Sequence, residues 1–189
     1  MSDFKFILYL DMDGVTASSS YIIKIHNYII NKEDENKDWE YRNFMQNWCF
    51  QKEAVECLNS IYDIIPYKIV LSTTRRFELD INGWNTVFKI NKIKAKIIGR
   101  TSKCAFDKNK YTWREDEIYK YHYIDHDLKD VPLIIIDDDS FDLQKFEDKL
   151  IKVDGTEGLT MKYYKEILDK LYKQGIMYKG DSNEYWTKS

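Results

Sequence analysis

The chain has 189 residues, 43% hydrophobic and 32% charged, which is enough apolar content for one cored domain and too much for a wholly disordered chain. Seven glycines and two prolines exclude collagen-like and Pro/Gly-rich low-complexity chains. A net charge of −3, from 29 basic and 32 acidic residues, gives no bulk signal for nucleic acid or membrane.

Phe4 to Leu10 is a near-continuous apolar run, the pattern of a strand buried on both faces of a parallel sheet. No small-residue cleavage site follows it, and Asp11 and Asp13 come directly after, so a signal peptide is not expected. Tyr21 to Ile30 reads as a helix and Asn31 to Asp38 as a polar break. Ala54, Val55, Leu58, Ile61, Tyr62 and Ile65 recur at helical spacing up to Pro66. Lys68 to Leu71 reads as a second buried strand that ends at Ser72. Residues 77–98 are ambiguous: a helix, a loop and a short strand at Ala95–Ile98 closed by Gly99. Arg114 to Tyr123 reads as a helix. Leu133 to Ile136 reads as a third strand running into Asp137-Asp138-Asp139, and Leu150 to Val153 as a fourth. Met161 to Lys173 is an amphipathic helix stopped by Gly175.

Strands alternating with helices predict an α/β fold, a parallel sheet flanked by helices. The chain is expected to form one domain over 1–175, with a small or minimal cap within 16–66 and a polar tail over 176–189. No run of about 18 apolar residues occurs, so no membrane span is expected. Cys49, Cys57 and Cys104 lack CxxC spacing, which fits packed thiols and a cytoplasmic location. Heavy use of Lys, Ile, Asn and Tyr is similar to that of AT-rich genomes, such as those of many phages.

Three predicted strands end in polar residues: Asp11 and Asp13, then Ser72, then Asp137 and Asp138. Ligands of open α/β sheets bind outside the carboxyl ends of the strands, so these residues are expected to converge. Carboxylates brought that close repel by several kcal/mol unless a cation compensates, and hard oxygen ligands suit Mg²⁺. In Asp-x-Asp-Gly one Asp can attack phosphorus, the second can move a proton, and Gly14 permits the tight turn.

The segment Phe6 to Val15, with Asp11-Met12-Asp13-Gly14, resembles the first motif of the haloacid dehalogenase (HAD) superfamily. Ile69-Val70-Leu71-Ser72-Thr73 resembles the second motif, and Ile134 to Asp138 the fourth. The resemblance implies a Rossmann-like HAD fold and a phosphatase. In that reading Asp11 is the nucleophile, Asp13 the general acid and then base, and Ser72 and Thr73 grip a phosphoryl oxygen. Asp11, Asp13 through its carbonyl, Asp137 and Asp138 hold Mg²⁺. The third motif is a single cation, here assigned to Arg114, with Lys110, Arg100 and Lys103 as rivals.

The layout of Ser72 to Arg76, Gly99 to Thr101, Arg114 to Ile118 and Val153 to Thr160 is similar to that of HAD domains of "Swiss Army knife" RNA repair proteins. It is also similar in style to polynucleotide 3′-phosphatases. Trp commonly stands before the Arg in that family, where this chain has Thr74 or Arg75. The substrate so implied is a nucleic-acid 3′-phosphate end, with any kinase or ligase acting in trans. The alternative is a phosphatase of mononucleotides or another small nucleotide-derived phosphate, and the third reading is a non-catalytic binding module.

Arg75, Arg76 and Arg100 are candidates for gripping a second phosphate or nucleotide. The lysines between Lys89 and Lys110 are candidates for steering a polyanion, against a solvated face. Trp39, Trp48, Trp84 and Trp113 are candidates for base stacking, against core or lid packing. His122 and His126 at i, i+4 are a weak metal candidate.

Overall fold

The computed structural model describes residues 4–30, 50–103 and 113–177. Five parallel strands form one sheet: β1 (Phe6–Leu10), β2 (Tyr67–Leu71), β3 (Lys96–Arg100), β4 (Leu133–Asp137) and β5 (Leu150–Lys152). Their order is β3-β2-β1-β4-β5. The most apolar strand, β1, therefore lies at the centre, and every one of its residues is buried. The described α-helices are α1 (Ser19–Ile30), α2 (Lys52–Ile64), α3 (Ile81–Ile90), α4 (Arg114–Tyr119) and α5 (Tyr164–Lys173).

Side-chain alternation along β1 sorts the core into two layers. Phe6, Leu8 and Leu10 face Cys57, Leu58 and Ile61 of α2, Trp84 and Phe88 of α3, and Ile167 and Leu171 of α5. Ile7 and Tyr9 face Ile118 of α4, Tyr121, Leu143 and Phe146. Helix α2 thus belongs to the core, and of the 16–66 stretch in which a small cap is expected, 31–49 lie outside the described residues. Cys57 is a packed thiol, whereas Cys49 and Cys104 lie outside the described residues.

Gly99 does not end β3 as expected; it sits inside the strand, opposite Val70, beyond a register shift between Ile69 and Val70. A β-carbon there would lie 2.0 Å from the Tyr121 hydroxyl, so the bare backbone gives Tyr121 its seat. The expected helix from Arg114 to Tyr123 is α-helical only to Tyr119 and widens into a π-helical turn over Lys120–Asp125. Gly175 is the helix stop expected of it: φ is +83°, and the Gly175 and Ile176 amides donate to Tyr172 and Leu171 carbonyls. Ile176 is still buried, so the tail begins one residue later than expected, and 178–189 lie outside the described residues. Among the described residues no helix is long and apolar enough to cross a membrane.

The π-helical turn removes His122 from the expected metal pair. Its Nε2 lies 3.1 Å from the Val131 carbonyl, and its Nδ1 lies 3.1 Å from the Tyr9 hydroxyl. A carbonyl needs a donor, so Nε2 carries the proton and the Tyr9 hydroxyl donates to Nδ1. His126 instead packs its ring on Tyr121 at 4.0 Å between centroids. Burial pulls the His122 pKa down to about 4. The unfolded chain gains this proton below about pH 6.5, while the fold refuses it until far lower. Stability from His122 is therefore lost as pH falls from about 6.5 towards 4, by on the order of 1–2 kcal/mol at pH 5. Urea unfolding at pH 7 and pH 5 checks this. His122→Gln is expected to shrink the difference between the two pH values, and an unchanged difference would exclude His122 as its source.

Candidate active site

Strand order reverses across β1 and β4, and the acids converge at the carboxyl ends of these strands. Leu10 pairs with Ile136, and the Asp11 amide donates to the Ile136 carbonyl at 3.0 Å. Asp11 and Asp137 are therefore neighbours by strand register. On the other side the Ser72 amide donates to the Leu10 carbonyl at 3.0 Å, so Ser72 flanks Asp11 from β2.

After Asp11 the chain turns on one acceptor. The Met12 carbonyl takes the amides of Val15, Thr16 and Ala17 and the Thr16 hydroxyl. Gly14 at φ +76° makes this turn possible, and a β-carbon on it would sit 2.2 Å from Asp138 Oδ2. A β-carbon on Gly155 would sit 2.5 Å from the same oxygen. Two backbones without side chains thus form a slot for one carboxylate.

Ligand oxygens of Asp11, Asp137 and Asp138 lie within 4.8 Å of one another. Asp139 is not among them: its amide donates to Asp137 Oδ1 at 3.0 Å and its carboxylate accepts from Phe141. Arg114 Nη1 lies 2.5 Å from Asp137 Oδ2 and 3.3 Å from Asp11 Oδ1. Asp142 fixes the start of α4: its carboxylate accepts from the Arg114 amide and its carbonyl from the Glu115 amide, both at 3.0 Å. Two of the rival cations have contacts elsewhere. Arg100 Nη1 donates to the Arg76 and Leu79 carbonyls, and Lys103 lies over the Phe77 ring. Lys110 is outside the described residues.

Burial pushes the Asp11 pKa up, and Asp137 adds to it; Arg114, the Met12 amide and Thr73 oppose the rise. Asp137 is likewise raised by burial, against Arg114. Burial alone would lower Arg114, but Asp137 and Asp11 hold it above its ordinary value. Asp13 is raised chiefly by burial, with Arg75 opposing, and Asp138 is raised by burial. Burial is thus the main cost of ionising these carboxylates, and Arg114 offsets part of it for Asp11 and Asp137.

Ser72 Oγ is buried and has no hydrogen-bond partner among the described residues, while Thr73, also buried, hydrogen-bonds Asp11. A buried hydroxyl without a partner costs about 1–3 kcal/mol, so Ser72 stands out among the buried polar groups. Asp13 faces outward, 3.6 Å from Arg75, whose guanidinium is forked onto Glu78 at 2.8 and 3.0 Å.

Two expectations change. Arg76 does not face a substrate: its guanidinium donates to the Thr73, Thr101 and Ser102 carbonyls and to Glu117, with Glu117 at 2.7 Å. Arg100 is likewise bound to carbonyls, so both hold loops together. Trp84 is a core residue, whereas Trp39 and Trp48 lie outside the described residues. Of the lysine block, Lys94 pairs with Asp63 at 2.6 Å, and Lys108 and Lys110 lie outside the described residues. Gln51 gave no signal in the sequence. Its carboxamide accepts from the Ser18 amide and donates to the Glu157 and Leu159 carbonyls, clamping two site loops. Only its contacts across the fold could have revealed it.

The model of the HAD domain in Swiss Army Knife RNA repair proteins matches residues 7–163. The chain belongs to this family. No curated protein matches. The HAD domain of the effector protein Lem4 from Legionella pneumophila is similar in structure, with a TM-score of 0.50 at 20% identity over 90% of this chain and 97% of that one. A haloacid dehalogenase-like family hydrolase from Streptococcus pneumoniae has a TM-score of 0.41 at 14% identity, over 90% and 92% of the two chains. The Lem4 likeness is one of fold.

The donor set of this HAD domain, three carboxylates with hard oxygens, fits a small divalent cation. Raised carboxylate pKa values mean that the charged forms are costly in the metal-free fold. That cost is absent below about pH 4, the unfolded value, and grows as pH rises through the raised values. Mg²⁺ is therefore expected to raise the melting temperature more at pH 8 than at pH 5. Thermal scans with and without Mg²⁺ read this; an equal effect at both pH values would contradict it.

Proposed function

We propose that the protein is a Mg²⁺-dependent phosphomonoester hydrolase that works through an aspartyl-phosphate on Asp11, with nucleic-acid 3′-phosphate ends as substrate. The observation that carries the reading is the unpartnered Ser72 hydroxyl, buried beside Asp11, where it would donate to a phosphoryl oxygen.

An Asp11 oxygen attacks phosphorus, and the bond from phosphorus to the leaving oxygen breaks. Asp13 gives that oxygen its proton. Its raised pKa supports a carboxyl that carries one. Water then attacks phosphorus, Asp13 takes the water's proton, and inorganic phosphate leaves while Asp11 is regenerated. Ser72 holds a phosphoryl oxygen, and Arg114 offsets negative charge as it builds on the transferring group. Asp11, Asp137 and Asp138, with the Asp13 carbonyl, would hold Mg²⁺, which supplies charge neutralisation for the carboxylates and the phosphoryl group.

The nucleic-acid substrate is supported by membership of a family described from RNA repair proteins. Arg75, at the outer edge beside Asp13, lies where it would meet the leaving-group side of a substrate. The mononucleotide alternative turns on a closing cap, which would fall outside the described residues.

Phosphate release from 3′- and 5′-phosphorylated oligonucleotides, mononucleotides and sugar phosphates tests the reading. Mg²⁺-dependent turnover is expected on the 3′-ends and is expected to fail with EDTA. Asp11→Asn is expected to lower kcat by at least about a thousandfold, and Ser72→Ala by roughly a hundredfold. Turnover confined to small molecules would move the substrate to metabolism or signalling, and full activity in Asp11→Asn would remove the covalent mechanism.

A further inference from the structure

Trp113 and Phe141 are exposed, at 41% and 69%, yet stacked on one another at 5.4 Å between centroids and 24° between planes. They come from the same two segments that build the catalytic ion pair. Trp113 directly precedes Arg114, and Phe141 follows Asp137 by four residues. Asp142 staples these segments together through its contacts to the Arg114 and Glu115 amides. The aromatic pair is thus fixed in place by the structure that fixes Arg114 on Asp11.

The pair borders a cavity of about 260 Å³, completed by Glu115, Asp116, Gln144 and Lys145. That is smaller than the roughly 300–1,000 Å³ of a whole small-molecule site, and suits one ring system rather than a complete ligand. Lys145 is held by Glu115 at 2.9 Å and Asp116 at 2.8 Å, so its charge is spent on two acids. The cavity's charged residues sum to net negative, which disfavours a second phosphate there. A neutral planar ring, stacking on aromatic faces with polar edges towards Gln144, matches both its shape and its charge.

We propose that Trp113 and Phe141 form a stacking platform for the nucleobase next to the scissile phosphate, and so select a base-bearing end over other phosphomonoesters. This rests on the reading of Asp11 as phosphoryl acceptor. The base is joined to its 3′-phosphate through one sugar, and Trp113 is joined to Arg114 through one peptide, with Cα atoms about 3.8 Å apart. Trp113 thus stands on the segment whose next residue reaches Asp11, and Phe141 on the segment that follows Asp137, which supports one nucleotide presenting its phosphate to Asp11 and its base to the aromatic pair.

The test compares kcat/KM for a 3′-phosphorylated oligonucleotide with that for the same oligonucleotide ending in an abasic 3′-phosphate. The wild-type protein is expected to favour the base-bearing end. Trp113→Ala and Phe141→Ala are each expected to cut that preference by about tenfold, and Trp113→Phe to keep most of it. A wild-type ratio near one, or variants that slow both substrates alike, would overturn the platform. Hydrolysis of neither oligonucleotide would instead defeat the proposed function. The platform is then read without turnover, from the indole ¹H–¹⁵N resonance of Trp113 titrated with a nucleoside 3′-monophosphate. A saturable shift that is lost in Phe141→Ala supports it, and no shift overturns it.

Discussion

Burial of neighbouring carboxylates at one sheet edge governs this structure. Asp11, Asp137 and Asp138 end adjoining apolar strands or follow them directly, and their oxygens are held within 4.8 Å of one another. Hydrophobic burial of β1 and β4 brings them there, because the strands cannot pair without delivering the acids to one edge. Arg114, pinned by Asp142, offsets part of the charge. What surrounds the cluster accommodates the rest: two glycines that make room for the Asp138 carboxylate, amides that donate to Asp11 and Asp137, and a turn gathered on the single Met12 carbonyl. A site under this electrostatic load fits a small cation among its carboxylates.

The sheet was legible in the sequence because buried parallel strands are written as unbroken apolar runs. Phe4 to Leu10, Lys68 to Leu71 and Leu133 to Ile136 each mark a strand to within two residues. Gly99 misled because glycine reads as a terminator, whereas here its missing side chain admits a tyrosine from the following helical segment. The π-helical turn was illegible for a related reason. Helical periodicity assumes a constant pitch, and one widened turn moved His122 into the core, away from His126.

The candidate site divides in the same way. Acids at strand ends were found because sequence position alone fixes which sheet edge they reach. Arg114 was identified by its place at a helix start, and the structure brings it against Asp11 and Asp137. Arg76 and Arg100 were misread because charge says nothing about partners: carbonyls of neighbouring loops, and for Arg76 the Glu117 carboxylate, had already taken them. Phe141 and Gln51 left no trace in any pattern, since both matter through contacts with residues remote in sequence or set on another segment.

The clamp at Gln51 also sets what the chain between the first helix and α2 is free to do. The Gln51 amide donates to the Thr16 carbonyl at 2.9 Å, and the Ser19 amide donates to Gly155 at 2.9 Å. Thr16, Ser18 and Gln51, where this excursion leaves and rejoins the core, are thereby tied to one another. Closing a loop costs free energy that grows only with the logarithm of length, about 0.6 kcal/mol for each doubling. The sequence between these anchors can therefore change in length while strand pairing keeps Asp11, Ser72 and Asp137 where they are.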